Sequence, residues 1–492
     1  MLRGFDIAVL VLYVGTIFGL GCWLVRRTRN PHEFTAAGGR LAGWVVGLSI
    51  FGTYVSSISF LANPGKSYAA DWNSWVFGLS LPLAAWIAVK YFVPFYRRYG
   101  HISAYAHLEQ RFGLWARSYA GVCYLLTQLA RMASILYLVA MALQPLTGWS
   151  VTTIILITGV LVTVYTMIGG IEAVIWTDVV QSVVLTVGAV VCVGLILFGM
   201  PEGPGQVFAI AREQDKFSLG SFGASLAAPT FWVVLVYGLV INLQNFGIDQ
   251  SYVQRYHAAR SEKEAGRSVW MAAWLYLPIS GLLFFVGTGL FAFYSAQPEL
   301  LSEGLAADKV FPHFIATELP TGATGLLVAA IFAAAMSSID TSLNSSSTLI
   351  LEDFCKRYMM PNLSPQGSML ILYASTLALG IGGTLFAIVM MGEERNVLDV
   401  WWDLAGLFAG GMLGLFLLGM IARSARAPAA LAGVAAGLAV ILWMTFSSRL
   451  PEEWSQFRSP FNSFLTVVFG TMTILIVGLV VSGVMRRGAK AT

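Results

Sequence analysis

Long apolar runs, each about 20 residues and nearly free of charge, recur along the whole chain. An α-helix needs about 20 apolar residues to cross the hydrocarbon core of a bilayer, so each run predicts one transmembrane helix. The gaps between runs reach only about thirty residues, which leaves no room for a soluble domain. The sequence therefore predicts an all-α integral membrane protein that forms a single transmembrane domain over residues 1–492. The thirteen predicted spans are 5–24, 43–62, 75–96, 119–143, 151–168, 173–197, 231–248, 269–294, 326–351, 369–391, 397–422, 428–446 and 464–484.

Basic residues divide unevenly between the loops of these spans. With the N-terminus outside, 19 Lys and Arg residues fall in inner loops and 8 in outer loops, as the positive-inside rule requires. The first run is too long for a signal peptide and is followed by arginines, so we interpret it as a true helix. We expect a multi-pass protein of the cell membrane, plasma or inner, with its N-terminus outside and its C-terminus in the cytoplasm.

Composition narrows the class of protein. Hydrophobic residues make up 57% and charged residues 11% of the chain, against about 25% charged residues in soluble domains, which excludes a soluble globular enzyme. The net charge of +4 is spread over short loops, so we expect no nucleic-acid partner. The pattern GxxxxGK[ST] does not occur, which argues against a primary pump. With no constellation of nucleophile, metal ligands or cofactor, we expect no enzymatic activity, no organic cofactor and no obligate protein partner.

Polar residues inside the second predicted span are the first functional candidates, because polar groups in a bilayer are costly unless they face a cavity, an ion or a partner. Four residues repeat there at helical spacing and share one face: Gly52, Ser56, Ser59 and Asn63. Pro64 and Gly65 then predict the end of the helix or a bend. An unwound stretch would free carbonyls such as those of Gly52 and Val55 for a cation. The alternative is a face of small residues used for helix packing.

A second cluster lies deep in the ninth predicted span. Ser337, Asp340 and Thr341 share a helical face, with Ala334 one turn before them. One carboxylate and several hydroxyls at this spacing make an oxygen-rich, weakly charged site that suits sodium. The hydroxyls can instead bond back to their own helix, but Asp340 cannot be satisfied that way.

Two isolated charges complete the stronger candidates. Asp178, in the sixth span, is a second cation ligand, a proton carrier or a polar residue near the membrane interface. Arg131, in the fourth span, is the only full charge expected near the middle of a span. It either binds the carboxylate of an anionic substrate in bidentate fashion or pairs with an internal acid, Asp178 or Asp340.

A run of amides around an aromatic residue ends the seventh span. Asn242, Asn245 and Phe246 lie in this run, which can bind hydroxyls or line a pore.

Four segments together resemble the sodium/solute symporter family, which includes sodium/glucose, proline, iodide and sialic acid transporters. They are GGIEAVIWTDVVQ at 169–181, NFGIDQSYVQRY at 245–256, AAIFAAAMSSIDTSLNSSSTLILEDF at 329–354 and GLFAGGMLGLFLLG at 406–419. The resemblance implies a LeuT-type inverted repeat of five plus five helices with extra helices at both ends. The first half would lie within 43–248, the second within about 231–422, and 428–485 would hold the additional C-terminal helices.

The resemblance also implies where sodium binds. Carried over residue by residue, the main sodium site comprises Gly52, Val55, Ala334, Ser337 and Ser338. A second site, for sodium or a proton, comprises Asp178, Ser337, Asp340 and Thr341. This chain departs from the sialic acid transporters at Asp340, where they have a serine, so one or two coupling ions are expected.

Within the family, the sialic acid transporters resemble this chain most. The resemblance implies a sodium-coupled symporter that imports a small polar solute by alternating access, a sugar acid such as sialic acid or another carboxylate. Two positions depart from those transporters, because Gly78 replaces a glutamine and Ser74 an aromatic residue. A sodium/neutral sugar or polyol symporter and a non-transporting solute receptor remain alternatives. The expected solute-binding residues are Ser56, Ser59, Asn63, Ser74, Gly78, Arg131, Asn242, Asn245 and Phe246.

Overall fold

The computed structural model describes residues 3–24, 26, 28, 30–392, 397–447 and 450–491. These residues form helices and no strand, apart from a single bridge between Leu41 and Ala259. Helices predominate because a chain in lipid must satisfy its backbone hydrogen bonds within each segment. Four basic residues used in the orientation prediction lie outside the described residues: Arg27, Arg29, Arg395 and Arg449.

The described part of the chain contains twenty-one α-helices. Helices α1 to α11 are Gly4–Leu24, Pro31–Ala36, Gly43–Tyr54, Asn63–Ala69, Val76–Leu79, Leu81–Ile87, Val93–Tyr99, Ala106–Phe112, Leu114–Thr147, Val151–Phe198 and Gly205–Glu213. Helices α12 to α21 are Phe231–Ile248, Gln250–Ala258, Glu262–Ala296, Ala307–Thr317, Ala323–Leu349, Pro365–Val389, Val397–Ala409, Met412–Ile421, Ala427–Phe446 and Leu465–Ala491. Stretches of π-helix at Ile58–Ala62, Ala88–Phe92 and Ile350–Met359 join or extend some of them.

Among the described residues, eleven helical segments are long and apolar enough to cross a membrane. The bent pair Gly43–Tyr54 and Ile58–Ala69 makes a twelfth if it is one span, and Val151–Met167 is a shorter apolar helix. Every predicted span therefore has a helical counterpart, although the count of thirteen includes the bent pair and the shorter helix.

The fifth and sixth predicted spans are joined in the structure. They form the single helix α10, which kinks at Gly170 with φ of 62° and ψ of −173°. This backbone conformation favours glycine, and a Cβ there would also meet Phe34 Cα at 3.1 Å. A glycine at this point lets the chain turn between the two halves without a loop.

The second predicted span is broken, but earlier than Pro64. Helix α3 ends at Tyr54, and the chain resumes at Ile58 after a bend of 55°. Pro64 does not interrupt the helical segment Ile58–Ala69, because the π-helical turn Ile58–Ala62 comes directly before α4 and such a local change in hydrogen bonding accommodates a residue without an N–H. The expectation of an unwound stretch is thus met at residues 55 and 56, since Ser57 already has helical φ and ψ.

A second break faces the first. Helix α12 ends at Ile248, and Asp249 caps α13 by accepting a hydrogen bond from Ser251 N at 2.8 Å. The ring of Tyr54, at the end of α3, packs against Phe246 and Tyr252 on the two sides of this break, with ring centroids 5.6 and 5.9 Å apart. The interrupted ends of two helices therefore meet in the interior.

Helix α16 is the centre of the bundle. It packs against α10, α9, α1, α17 and α3. In its most apolar stretch of 18 residues, 89% of the residues are buried. Helices α20 and α21 pack against each other and α19 at one side. The polar residues of α16 between Ser337 and Thr348, its polar stripe, are therefore surrounded by protein.

Candidate functional site

The broken end of α3 meets α16 at an oxygen-rich point. Ser337 Oγ lies 3.0 Å from the carbonyl oxygen of Gly52 and 3.3 Å from that of Ala334. The carbonyl of Gly52 is available because α3 ends two residues later and leaves the last carbonyls without helical partners. Three of the five predicted ligands of the main sodium site are thus brought together.

The other two predicted ligands, Val55 and Ser338, lie close in sequence to Gly52 and Ser337 respectively. Val55 follows α3 with φ of −90° and ψ of 80°, outside the helical region, and is fully buried. Ser338 is also fully buried, and its Oγ has no hydrogen-bond partner among the described residues. A buried hydroxyl without a partner is costly, so this oxygen is suited to a cation.

Close packing against α10 holds this end of α3. A Cβ at Gly52 would lie 2.6 Å from Ser182 Oγ, closer than side chains approach, so glycine permits the contact. The Ser182 hydroxyl in turn donates to the carbonyl of Leu48 at 3.0 Å. The position of the Gly52 carbonyl thus depends on α10 as well as α16.

The predicted second site contains an arginine that the sequence reasoning missed. Arg255, on α13, is fully buried and pairs with Asp178, whose Oδ2 lies 2.9 Å from Arg255 Nη2. The same nitrogen donates to Thr341 Oγ1 at 2.7 Å. Arg255 follows the seventh predicted span in the sequence and was not among the predicted site residues, yet its guanidinium lies inside the bundle beside the predicted second site.

Two carboxylate oxygens in this cluster have no partner among the described residues. They are Asp178 Oδ1 and Asp340 Oδ2, both in fully buried residues. Asp340 Oδ1 accepts a hydrogen bond from its neighbour Thr341 N at 2.6 Å. Asp340 also interacts electrostatically with both Asp178 and Arg255. The cluster thus has two carboxylates and one guanidinium.

A cavity of about 140 Å³ lies beside the two helix breaks. Nine of its lining side chains are aromatic, and most of the remainder are amides, hydroxyls or aliphatic groups. Seven of the nine predicted solute-binding residues line it: Ser56, Ser59, Asn63, Ser74, Gly78, Arg131 and Asn245. The absence of a side chain at Gly78 leaves the cavity wall there to Tyr276, which a Cβ would meet at 3.1 Å.

The other two predicted solute-binding residues lie behind the cavity wall. Asn242 is fully buried; it accepts from the Tyr54 hydroxyl and donates to Ser80 Oγ at 2.9 Å. Phe246 is fully buried and packs against Tyr54 and Tyr252. Both support residues of the wall from behind.

Arg131 reaches the cavity from α9. Its Nη2 donates to the carbonyl oxygen of Thr53 at 2.7 Å, and the partly exposed side chain lines the cavity. Of the two readings of Arg131, pairing with Asp178 is not the arrangement observed, because Asp178 pairs with Arg255. Arg131 does interact electrostatically with another internal acid of the cavity wall, Asp249. The guanidinium thus borders space in which a carboxylate can bind.

Several further polar residues of the wall, Gln128, Gln244 and Asp249 among them, were not among the candidates. Gln128 Oε1 accepts from Ser342 Oγ at 2.7 Å, and Asp249 lies within the amide run at the end of the seventh predicted span. Gln244 lines the cavity with a buried Oε1 that has no partner among the described residues. Gln244 and Asp249 belong to the amide run noted in the sequence. Gln128 is one helical turn from Arg131, and this spacing is the sequence feature that could have identified it.

Comparison with known proteins gives the family. The sequence model described as the Sodium:solute symporter family matches residues 34–437. The chain belongs to this family. The sodium/sialic acid symporter NanT of Aliivibrio fischeri is 34% identical over 488 residues, 98% of this chain and 94% of that protein. The sodium/sialic acid symporter SiaT of Proteus mirabilis is 35% identical over 96% of this chain and 94% of that protein.

A solved structure is similar over the same extent. It is the substrate-bound, outward-open state of a Na⁺-coupled sialic acid symporter, with a TM-score of 0.89 and 33% identity. The match covers 98% of each chain. The resemblance expected from the four sequence segments is confirmed, and this member of the symporter family is a multi-pass membrane protein.

Proposed function

We propose that the chain is a sodium-coupled symporter that imports a small organic carboxylate, a sugar acid such as sialic acid, by alternating access. The observation that carries this proposal is the position of Arg131, whose guanidinium borders the cavity and bonds to the end of the broken helix. A planar guanidinium binds carboxylates in bidentate fashion. The similarity to two sodium/sialic acid symporters at 34% and 35% identity supports the same solute class.

Sodium bound at the main site couples solute transport to the sodium gradient. Carbonyls of Gly52, Val55 and Ala334 with the hydroxyls of Ser337 and Ser338 give a neutral set of oxygens, which suits a hard monovalent cation. Sodium there ties α3 to α16 beside the cavity. Each positive charge that moves inward contributes about 2.3 kcal/mol per 100 mV of membrane potential, before any concentration gradient is counted.

A second coupling cation, sodium or a proton, binds at the acidic cluster. The excess of one carboxylate over the single guanidinium, together with the unpartnered Asp178 Oδ1 and Asp340 Oδ2, supports this site. Ser337 and Thr341 supply its hydroxyls. Reversal-potential measurements in proteoliposomes give the number of ions moved per solute, and Asp340→Asn should lower it by one. An unchanged ratio would remove the second site.

The binding test uses purified protein and a solute panel. Thermal unfolding is followed with sialic acid, other sugar acids, small carboxylates, neutral sugars and polyols, each in NaCl and in KCl, because a ligand of the native state raises its stability. We expect stabilisation by an acid in sodium only, and its loss in Arg131→Met. Arg131→Lys keeps the charge without the planar fork and should retain a weakened response. A neutral solute that binds equally well to Arg131→Met would instead favour a sugar or polyol symporter.

Transport is tested separately. Uptake of the stabilising solute into proteoliposomes should require an inward sodium gradient. Binding without uptake would identify a receptor, and uptake indifferent to sodium would refute sodium coupling.

The proposed arrangement in the membrane has thirteen spans, N-terminus out and C-terminus in, in the cell membrane. It comprises the five-plus-five repeat within 43–422 and additional helices at both ends. The split of basic residues supports it and becomes 18 against 8 when the buried Arg255 is left out. Membrane-impermeant labelling of a cysteine introduced at each terminus tests it: only the N-terminal one should react from outside.

A further inference from the structure

Thr53 is contacted from both the cavity and the acidic cluster. Its carbonyl oxygen accepts from Arg131 Nη2 at 2.7 Å, and its hydroxyl accepts from Arg255 Nη2 at 2.9 Å. The hydroxyl also lies 3.2 Å from Thr341 Oγ1. Thr53 is fully buried, so these contacts are not shared with solvent. One residue therefore bonds to the guanidinium beside the solute cavity and to the guanidinium beside the cation cluster.

The break in α3 explains why the backbone of Thr53 is available. A helix leaves its last four carbonyls without helical partners, and α3 ends at Tyr54. The carbonyls of Gly52 and Thr53 are consecutive in this last turn, where one accepts from Ser337 on α16 and the other from Arg131 on α9. Each carbonyl belongs to its own rigid peptide unit, and the two units meet at the Cα of Thr53, so at the helical φ and ψ of Thr53 the orientation of one carbonyl sets that of the other.

The hydroxyl of Thr53 joins the same turn to the acidic cluster. Arg255 Nη2 is shared by Thr53, Thr341 and Asp178, at 2.9, 2.7 and 2.9 Å. Thr341 lies one helical turn beyond Ser337 and Ser338 on α16. A shift of Thr53 therefore moves contacts of the cavity and of both cation sites.

We propose that Thr53 is the positioning residue that couples solute binding to cation binding, an inference that rests on the proposed function above. Solute held by Arg131 fixes the Thr53 carbonyl, and the hydroxyl of the same residue passes this restraint to Arg255 and the acidic cluster. Cations that hold α3 against α16 in turn fix Arg131 toward the cavity. The two effects are one coupling free energy, so each ligand raises the affinity of the other by the same factor.

A second connection between cavity and α16 provides a control. Ser342 Oγ donates to Gln128 Oε1 at 2.7 Å, and Gln128 lines the cavity. This connection does not involve α3. Ser342→Ala therefore removes a buried hydroxyl near the cavity and leaves every contact of Thr53 in place.

The experiment measures the dissociation constant of sialic acid by calorimetry across a series of sodium concentrations, with choline as the replacement ion. Thr53→Val keeps the shape and the carbonyl but removes the hydroxyl, and Thr53→Ser restores it. We expect Thr53→Val to reduce the ratio of affinities in high and low sodium at least fivefold, whereas Thr53→Ser and Ser342→Ala stay within twofold of wild type. Sodium affinity measured with and without sialic acid should change by the same factor.

Several outcomes would overturn the inference. They are a Thr53→Val protein with the wild-type ratio, a uniform loss of affinity at all sodium concentrations, and an equal loss of coupling in Ser342→Ala. If Thr53→Val does not yield folded protein, Thr53→Ala removes the same hydroxyl with a smaller side chain. A wild type whose affinity is independent of sodium refutes the proposed function and this inference together; a sodium-dependent wild type matched by Thr53→Val refutes the inference alone.

Discussion

The buried pair of Asp178 and Arg255 gives the sharpest test of the electrostatic description. Both side chains are fully enclosed and their nearest atoms are 2.9 Å apart. At an effective dielectric constant of about 20, two unit charges at this distance attract with about 6 kcal/mol. Removal of one partner from such a pair costs about 3–5 kcal/mol, because the other charge stays buried without compensation.

The two single substitutions should differ, since Asp340 also belongs to the cluster. Arg255→Met leaves two carboxylates without a cation, whereas Asp178→Asn leaves Arg255 opposite Asp340. We therefore expect Arg255→Met to lower the free energy of unfolding by about 3–5 kcal/mol and Asp178→Asn to lower it less. The double variant should recover part of the loss of Arg255→Met, since one buried carboxylate then remains instead of two.

The assay is unfolding of the purified protein in detergent, without sodium, so that bound cations do not mask the loss. Arg260→Met is the matched control, because that arginine is 61% exposed and pairs with Glu264 at 3.7 Å. Exposed pairs contribute little. If Arg255→Met is as stable as Arg260→Met, the buried ion pair does not carry the expected energy. If Asp178→Asn lowers the free energy of unfolding as much as Arg255→Met, Asp340 does not compensate the charge of Arg255.

Three further predictions concern single positions. Ser338→Ala should weaken sodium binding about tenfold without loss of stability, since the Ser338 hydroxyl has no protein partner to lose; sodium titration and thermal unfolding of the same sample separate the two. Gly52→Ala should cost about 1–3 kcal/mol, because its Cβ would lie 2.6 Å from Ser182 Oγ, and Ser182→Ala in the same chain should restore part of the unfolding temperature. Burial and the nearby Arg97 lower the pKa of His257, in the short helix α13, from 6.5 to about 4. The unfolded chain then binds the proton more readily, so stability should fall by up to about 3 kcal/mol as the pH drops from about 6.5 to about 4; His257→Gln should flatten this dependence, and an equally steep profile would contradict it.

Much of the helix layout could be predicted from the sequence, because the length of an apolar run is a local property. Local features indicate a polar helix face around Ser337 and a break after Gly52, but the approach of these two segments to each other is implied only by the family resemblance. The exact place of the break could not be predicted. Pro64 is a strong breaker inside a helix, but here the π-helical turn Ile58–Ala62 comes directly before α4 and the helical segment continues through the proline.

Arg255 shows what local patterns leave out. It stands among polar residues and close to other basic ones, which is typical of an inner loop. Its actual place is set by Asp178, 77 positions earlier, and by acceptors on α3 and α16. Likewise, Asn242 and Asn245 differ by less than one helical turn, and only the packing of α12 decides which one faces the cavity.

The burial of α16 has a consequence for the biosynthesis of the protein. From Ser337 to Thr348 this helix carries hydroxyls, an amide and a carboxylate that lipid would not accommodate. Four of the helices that cover this stripe, α1, α3, α9 and α10, precede it in the chain. When α16 leaves the ribosome, the protein groups that replace water around its polar face are therefore already in the membrane, and only α17 follows later. The order of helices along the chain thus shields the most polar span from lipid during assembly.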